Sequence, residues 1–199
     1  MGIGVLMLAA CGGGGERQDE DEPEGEFPVE VTEAKFPNRQ RLAETTDLRL
    51  GIENTGRETI PELAVTISTD DNLDGPFSVR LEQPGLANPN RPVWVLEDKY
   101  PRIAGESRPL GSSPADVAQT NTFGFGPLES GDRREMIWRV TPVRGGTYTV
   151  SYEVAAGLTG TARAVTADGS DPSGEFLVTI STKPPKARVT DEGKVEITE

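Results

Sequence analysis

Residues 46–67 read Thr-Asp-Leu-Arg-Leu-Gly-Ile-Glu-Asn-Thr-Gly-Arg-Glu-Thr-Ile-Pro-Glu-Leu-Ala-Val-Thr-Ile. Leu48, Leu50 and Ile52 fall on one face of an extended chain, with Asp47, Arg49 and Glu53 on the other, the period-2 signature of a half-buried strand. Asn54-Thr55-Gly56-Arg57 supplies turn chemistry, and Pro61 can open a strand without losing a needed ladder bond. Leu63, Val65 and Ile67 then alternate with Glu62, Ala64 and Thr66. Two alternating runs joined by a turn predict a β-hairpin.

The same alternation recurs on both sides. Val29, Val31, Ala34 and Phe36 mark an opening strand that Pro37-Asn38 ends. Phe77, Val79 and Leu81 make a short run. Pro84, Pro89, Pro92, Pro101, Pro109 and Pro114 then break residues 82–121, where only Val93-Trp94-Val95-Leu96 is strand-like. An irregular stretch of that length is functional or mobile more often than structural. Met136, Trp138 and Val140 resume the pattern, residues 142–146 turn, and Tyr148, Val150, Tyr152 and Val154 share one face. Residues 157–160 turn again, residues 161–167 can pair back, and Phe176, Val178 and Ile180 close the series. After Pro184-Pro185, residues 187–190 and 195–198 predict a small hairpin across Asp191-Glu192-Gly193. No long period-3.6 run occurs, and 23 Gly and 16 Pro favour short strands with many turns. The expectation is an all-β, antiparallel sandwich over residues 29–181 with a long irregular insertion, followed by a Pro-rich linker and short hairpin over 182–199.

Residues 47–67, with Glu129-Ser130-Gly131-Asp132, Met136, Trp138 and Gly146-Thr147-Tyr148-Thr149-Val150, resemble the bacterial Ig-like modules called CARDB. The resemblance implies an Ig-like fold and a role in adhesion, spacing or recognition, with no catalytic residues to carry over. Tyr148, two residues before Val150, looks like a tyrosine-corner residue. The chain departs from an immunoglobulin in having no cysteine pair, no Trp on the third strand and the excursion over residues 82–121.

Before the strands lies a run of different character. Residues 3–10 are uncharged and mostly apolar and stop at Cys11, the chain's single cysteine. As helix they reach ~12 Å, short of the roughly 30 Å hydrocarbon core, but they suit the apolar part of a signal peptide. Leu8-Ala9-Ala10-Cys11 resembles the lipobox of bacterial lipoproteins. That resemblance implies removal of residues 1–10, lipid on the Cys11 sulfur and a place on the extracytoplasmic side of the cell membrane or outer membrane. Met1-Gly2 offers no basic residue, so either the true start lies upstream or the segment is something else, the alternative being a mis-called start on a cytoplasmic protein with one idle thiol. Residues 12–26 hold seven acids against Arg17, net −6, and no apolar side chain. Such composition cannot offset the entropy of ordering, so residues 11–28 read as a lipidated, disordered acidic tether, with an acidic binding tail as the alternative.

Composition excludes several functions. With a net charge of −13 the chain repels phosphate backbones, so nucleic acid is not an expected partner. The absence of histidine removes the usual general base and most zinc or copper sites. Ser112, Ser113 and Ser130 have no obvious base, and no carboxylate spacing selects a hydrolase pair, so an enzyme is not expected, a carboxylate-dependent hydrolase being the remaining form of one. No cofactor is expected, apart from one calcium candidate. Asp70, Asn72 and Asp74 with Gly75 match the first half of a calcium loop, although Leu81 stands where the twelfth-position acid belongs and turns use the same residues. Trp94 reads first as a ring that pins a long loop to the core, with an anchor for an envelope solute or glycan as the alternative candidate. Asp168, Asp171 and Glu175 read as a solvated acidic loop, and residues 123–126 as a strand with a glycine bulge. The expected function is a membrane-anchored lipoprotein presenting an Ig-like module to an envelope protein or glycan, or as a spacer.

Overall fold

The computed structural model describes residues 23–70, 77–79, 92–106, 121–183, 186–189 and 194–198. The described chain is all β. One sheet is built from β1 (Gly25–Lys35), β3 (Thr46–Asn54), β5 (Phe77–Val79), β6 (Trp94–Leu96), β7 (Arg102–Ile103), β9 (Arg133–Pro142) and β11 (Ala162–Val165). Its order is β11-β1-β3-β9-β6-β5, with β7 also on β9. The second sheet comprises β2 (Arg39–Arg41), β4 (Ala64–Thr69), β8 (Thr122–Gly124), β10 (Gly146–Ala155) and β12 (Ser173–Ser181), in the order β2-β12-β10-β4-β8. β13 (Lys186–Val189) and β14 (Val195–Thr198) pair antiparallel as the C-terminal hairpin expected from the sequence.

The two sheets face each other across one core. Leu48, Leu50 and Ile52 from β3 and Met136, Trp138 and Val140 from β9 meet Val65 and Ile67 from β4 and Val150 from β10, all fully buried. Rings interlock between the sheets: Trp138 lies edge-on to Phe123 at 5.9 Å, and Trp94 edge-on to Tyr148 at 5.8 Å between centroids. This is the expected β-sandwich. Its central pairings are antiparallel, whereas β1–β11, β2–β12 and β5–β6 are parallel pairs toward the edges.

Three expectations about pairing are corrected. β3 and β4 do not form a hairpin, because they belong to different sheets: β3 lies between β1 and β9, and β4 between β10 and β8. Residues 55–63 arch from one sheet to the other, so the two apolar faces meet across the core instead of lying side by side. Asn54 holds this arch: its buried side-chain amide donates to Glu58 O and Leu128 O, each at 2.9 Å, and its Oδ1 accepts the Gly56 N–H at 3.0 Å. Residues 162–165 do not return to β10 but pair in parallel with residues 25–28. β1 accordingly begins at Gly25, inside the stretch read from composition as tether, with Phe27 buried.

β9 and β10 also lie in different sheets, joined by residues 143–145. Tyr148 stabilises this crossing, donating its hydroxyl to Gly145 O at 3.0 Å, the tyrosine-corner bond that the resemblance implied. Glycines make the room. A Cβ on Gly146 would stand 2.8 Å from Tyr148 Oη, and one on Gly145 2.2 Å from Thr182 Cγ2.

Candidate functional site

Trp94 takes the pinning role and not that of an exposed anchor. Its side chain is fully buried, packed on Phe36, Phe77 and Tyr148, and its indole N–H donates to Gln40 Oε1 at 2.7 Å. A ring with its polar handle satisfied inside the core offers nothing to a ligand. Burying it gains more than displaying it, because a Trp carries a large apolar area and here finds an acceptor. Phe123 and Phe125 are likewise buried, both edge-on to Trp138.

Cys11, with the lipobox, lies outside the described residues, as do Asn72, Asp74, Ser112 and Ser113. Asp70 follows β4 and donates its backbone N–H to Thr149 O at 3.2 Å. Among the described residues no group of three or more His, Cys, Asp or Glu is placed to hold a metal ion. The Asp168 loop is a self-satisfied turn. The carboxylate accepts the Thr166 hydroxyl, the Ser170 hydroxyl at 2.8 Å and the Ser170 N–H at 3.2 Å. Those donors, Thr166 first, draw the Asp168 pKa down to about 2. Asp171 pairs with Arg163 at 2.9 Å, and Ser130 donates its hydroxyl to Gly56 O at 2.6 Å, tying the arch.

The outward face of β3 and β9 carries the most organised polar chemistry. The register places Asp47 opposite Arg139. Arg139 grips Asp47 with two donors, Nε at 2.8 Å and Nη2 at 3.0 Å, while Arg49 bridges Asp47 (3.2 Å) and Glu135 (2.9 Å). The Arg139 hydrogen bond, opposed by burial and helped by charge attraction, holds the Asp47 carboxyl below its ordinary value; the same bond raises Arg139. Alongside, Lys35 contacts Glu33 at 2.8 Å, and its hydrogen bond is the first cause of a lowered Glu33 pKa. Tyr100 adds an aromatic plate between two cations, with Arg102 Cζ at 4.6 Å and Arg139 Cζ at 5.2 Å from its ring centre. An open groove of about 590 Å³ runs along this face, lined by Lys35, Pro37, Thr45, Thr46, Asp47, Arg49 and Arg139.

A second groove of about 710 Å³ opens where β1 faces β10 and the loop before β12, between Val29, Val31, Tyr152 and Ser173. Burial pushes the Tyr152 hydroxyl pKa up. Gly174 lies opposite Tyr152 in the ladder, where a Cβ would come within 2.6 Å of the hydroxyl.

Chemically, this charged face can match the surface of another protein. The Asp47 carboxyl is held low by the Arg139 guanidinium and Glu33 by the Lys35 ammonium, the reverse of the raised pKa a general acid needs. Alternation in the sequence puts Asp47 and Arg49 on one polar face. It does not join Asp47 to Arg139, because only the strand register sets the two opposite each other across 92 residues.

No protein-family model matches this chain, and no curated protein matches it. Solved structures similar to it include the crystallised CARDB domain of a Pyrococcus furiosus protein in complex with di-metal ions, at 12% identity, covering 79% of this chain and 94% of that chain with a TM-score of 0.44. A cohesin module from a Clostridium perfringens family 33 glycoside hydrolase is similar at 11% identity, 78% of this chain and 98% of that chain, with a TM-score of 0.40. Salmonella alpha-2-macroglobulin reacted with methylamine is similar at 11% identity over 81% of this chain and 7% of that chain, with a TM-score of 0.41.

Proposed function

We propose that this chain is a lipid-anchored, extracytoplasmic module that acts by binding a protein of the cell envelope or by spacing. Cys11 carries the lipid, the acidic residues after it hold the domain off an anionic bilayer surface, and the sandwich is the working part. What carries the reading is the order of the segments: Leu8-Ala9-Ala10-Cys11, four glycines, an acidic run, then β1 at Gly25. Two or three acyl chains would hold a protein on a membrane durably, where a single chain does so only marginally. The ion-paired face of β3 and β9 supports contact with a protein, since complementary charge fixes orientation and speeds encounter.

The test is metabolic labelling of bacteria that express the full chain, using a tagged fatty acid. Label on the wild type, none on Cys11→Ser and a shift of that variant to the soluble fraction are the expected results. A wild-type chain that stays unlabelled and soluble overturns the reading.

A further inference from the structure

A strand without a neighbour presents a row of N–H and C=O groups to which another chain can pair, so natural sheets shorten, bulge or charge such edges. The terminal strands here are short: β11 has four residues, and β2, β5 and β8 have three each. Among the described residues, these short terminal strands leave part of the longer strands inside them uncovered. β11 covers only residues 25–28 of β1, and the uncovered remainder of β1 is guarded by a bulge between Val31 and Glu33 and by the Lys35–Glu33 ion pair. β2 covers only residues 179–181 of β12. Among the described residues, no strand pairs with that side of β12 over residues 173–177.

The backbone there points outward. Thr179 donates its N–H to Asn38 O at 2.9 Å and Ser181 O accepts from Leu42 at 3.1 Å, both toward β2, while Pro172 O accepts from Val154 on the β10 side. Strand residues alternate, so Ser173, Glu175 and Leu177 turn their N–H and C=O groups away from β10. Residues 173–177 contain no lysine, no proline and no break in register. Leu177 is 66% exposed, the one exposed large apolar side chain among the described residues.

Charge selects the occupant. A second copy pairing about a twofold axis at the middle of this run would set Glu175 against Glu175, and like charges directly opposite destabilise a sheet. The net charge of −13 adds to that repulsion. Glu153 lies opposite Ser173 on β10, and Asp168 and Asp171 lie in the preceding loop, with Arg163 answering Asp171. The edge is thus acidic and open, with one apolar foothold.

We propose that residues 173–177 accept an extended segment of another protein as an added strand, with a cationic side chain opposite Glu175 and an apolar one opposite Leu177. This deepens the binding-module reading and rests on it, but not on Cys11. The chain can fail to take fatty acid while the edge still takes a strand, and the reverse.

The probe is a hexapeptide, valine-leucine-valine-lysine-valine-threonine, which in antiparallel register puts leucine opposite Leu177 and lysine opposite Glu175 and ends short of Thr179, where β2 pairs. With the isotope-labelled full chain, saturable binding is expected, with hydrogen exchange at the Glu175 and Leu177 amides slowed at least about tenfold. Glu175→Lys, at an exposed position, is expected to weaken this peptide about tenfold or more and to accept the counterpart carrying glutamate in place of lysine. Unchanged exchange at those amides at about 1 mM peptide overturns the proposal. So does protection confined to another edge, or sedimentation showing that the free protein already dimerises through β12.

Discussion

Trp94 and Gln40 join the two sheets through a buried hydrogen bond, indole N–H to amide oxygen at 2.7 Å, across 54 residues of sequence. The Gln40 amide nitrogen is occupied as well, donating to Pro37 O at 2.9 Å. Gln40→Ala is therefore expected to strand the indole N–H and to cost about 1–3 kcal/mol. Trp94→Ala is expected to cost about 3–5 kcal/mol by opening a cavity among Phe36, Phe77 and Tyr148. Urea unfolding of both variants and of the double variant measures the coupling. A Trp94→Ala protein as stable as wild type contradicts this core.

Asn54 is the staple of the arch between β3 and β4, with its side chain fully buried and all three of its bonds made to backbone. Replacing it with alanine leaves Leu128 O, Glu58 O and the Gly56 N–H without that partner. The expected loss is at least about 2 kcal/mol in chemical denaturation, with faster hydrogen exchange at Gly56.

The ion-paired face makes stability depend on pH in a definite direction. The folded-state pKa of Asp47 lies below its ordinary 3.8, chiefly through the Arg139 hydrogen bond. Its contribution is complete above the unfolded-state value and fades as pH falls through the folded-state one. Melting temperature is expected to fall below about pH 4, and Asp47→Asn is expected to flatten that slope while costing about 1 kcal/mol at neutral pH. An Asp47→Asn profile parallel to wild type would show that the pair contributes nothing.

Tyr148→Phe removes only the hydroxyl bonded to Gly145 O, and is expected to cost about 1 kcal/mol. Gly146→Ala is expected to cost more, about 1–3 kcal/mol, because its methyl would meet the Tyr148 ring and hydroxyl at 2.8–3.1 Å. Thermal unfolding ranks the two, and the reverse order would place the weight of the corner on the hydrogen bond rather than on ring packing.

Which residues turn inward was legible in the sequence almost residue by residue. Leu48, Leu50 and Ile52, then Leu63, Val65 and Ile67, then Met136, Trp138 and Val140 are all fully buried, as their alternation predicts. Leu177 lies out of phase with Val178 and Ile180 and is exposed. Partners were not legible. The run over residues 46–67 reads as a hairpin because two amphipathic strands with a turn between them look the same whether they lie side by side or face each other. The nine residues of the arch, anchored by Asn54 to Leu128, are what place them in opposite sheets. Trp94 shows the same limit, since no local pattern says whether a ring in a proline-rich stretch faces solvent or finds Gln40.

By itself, then, the sequence determined an all-β chain, the inward face of each long strand, the tyrosine at the corner and an acidic stretch behind a lone cysteine. All of these follow from side-chain chemistry and a two-residue period, which act over a few neighbouring residues. Only the tertiary structure decided which strands are neighbours, that β1 begins at Gly25 against β11, that Asp47 meets Arg139, and that β12 is unpaired beside Leu177 among the described residues. Pairing joins residues tens of positions apart, and its free energy comes from a core that all the strands build together, so no single segment carries the information.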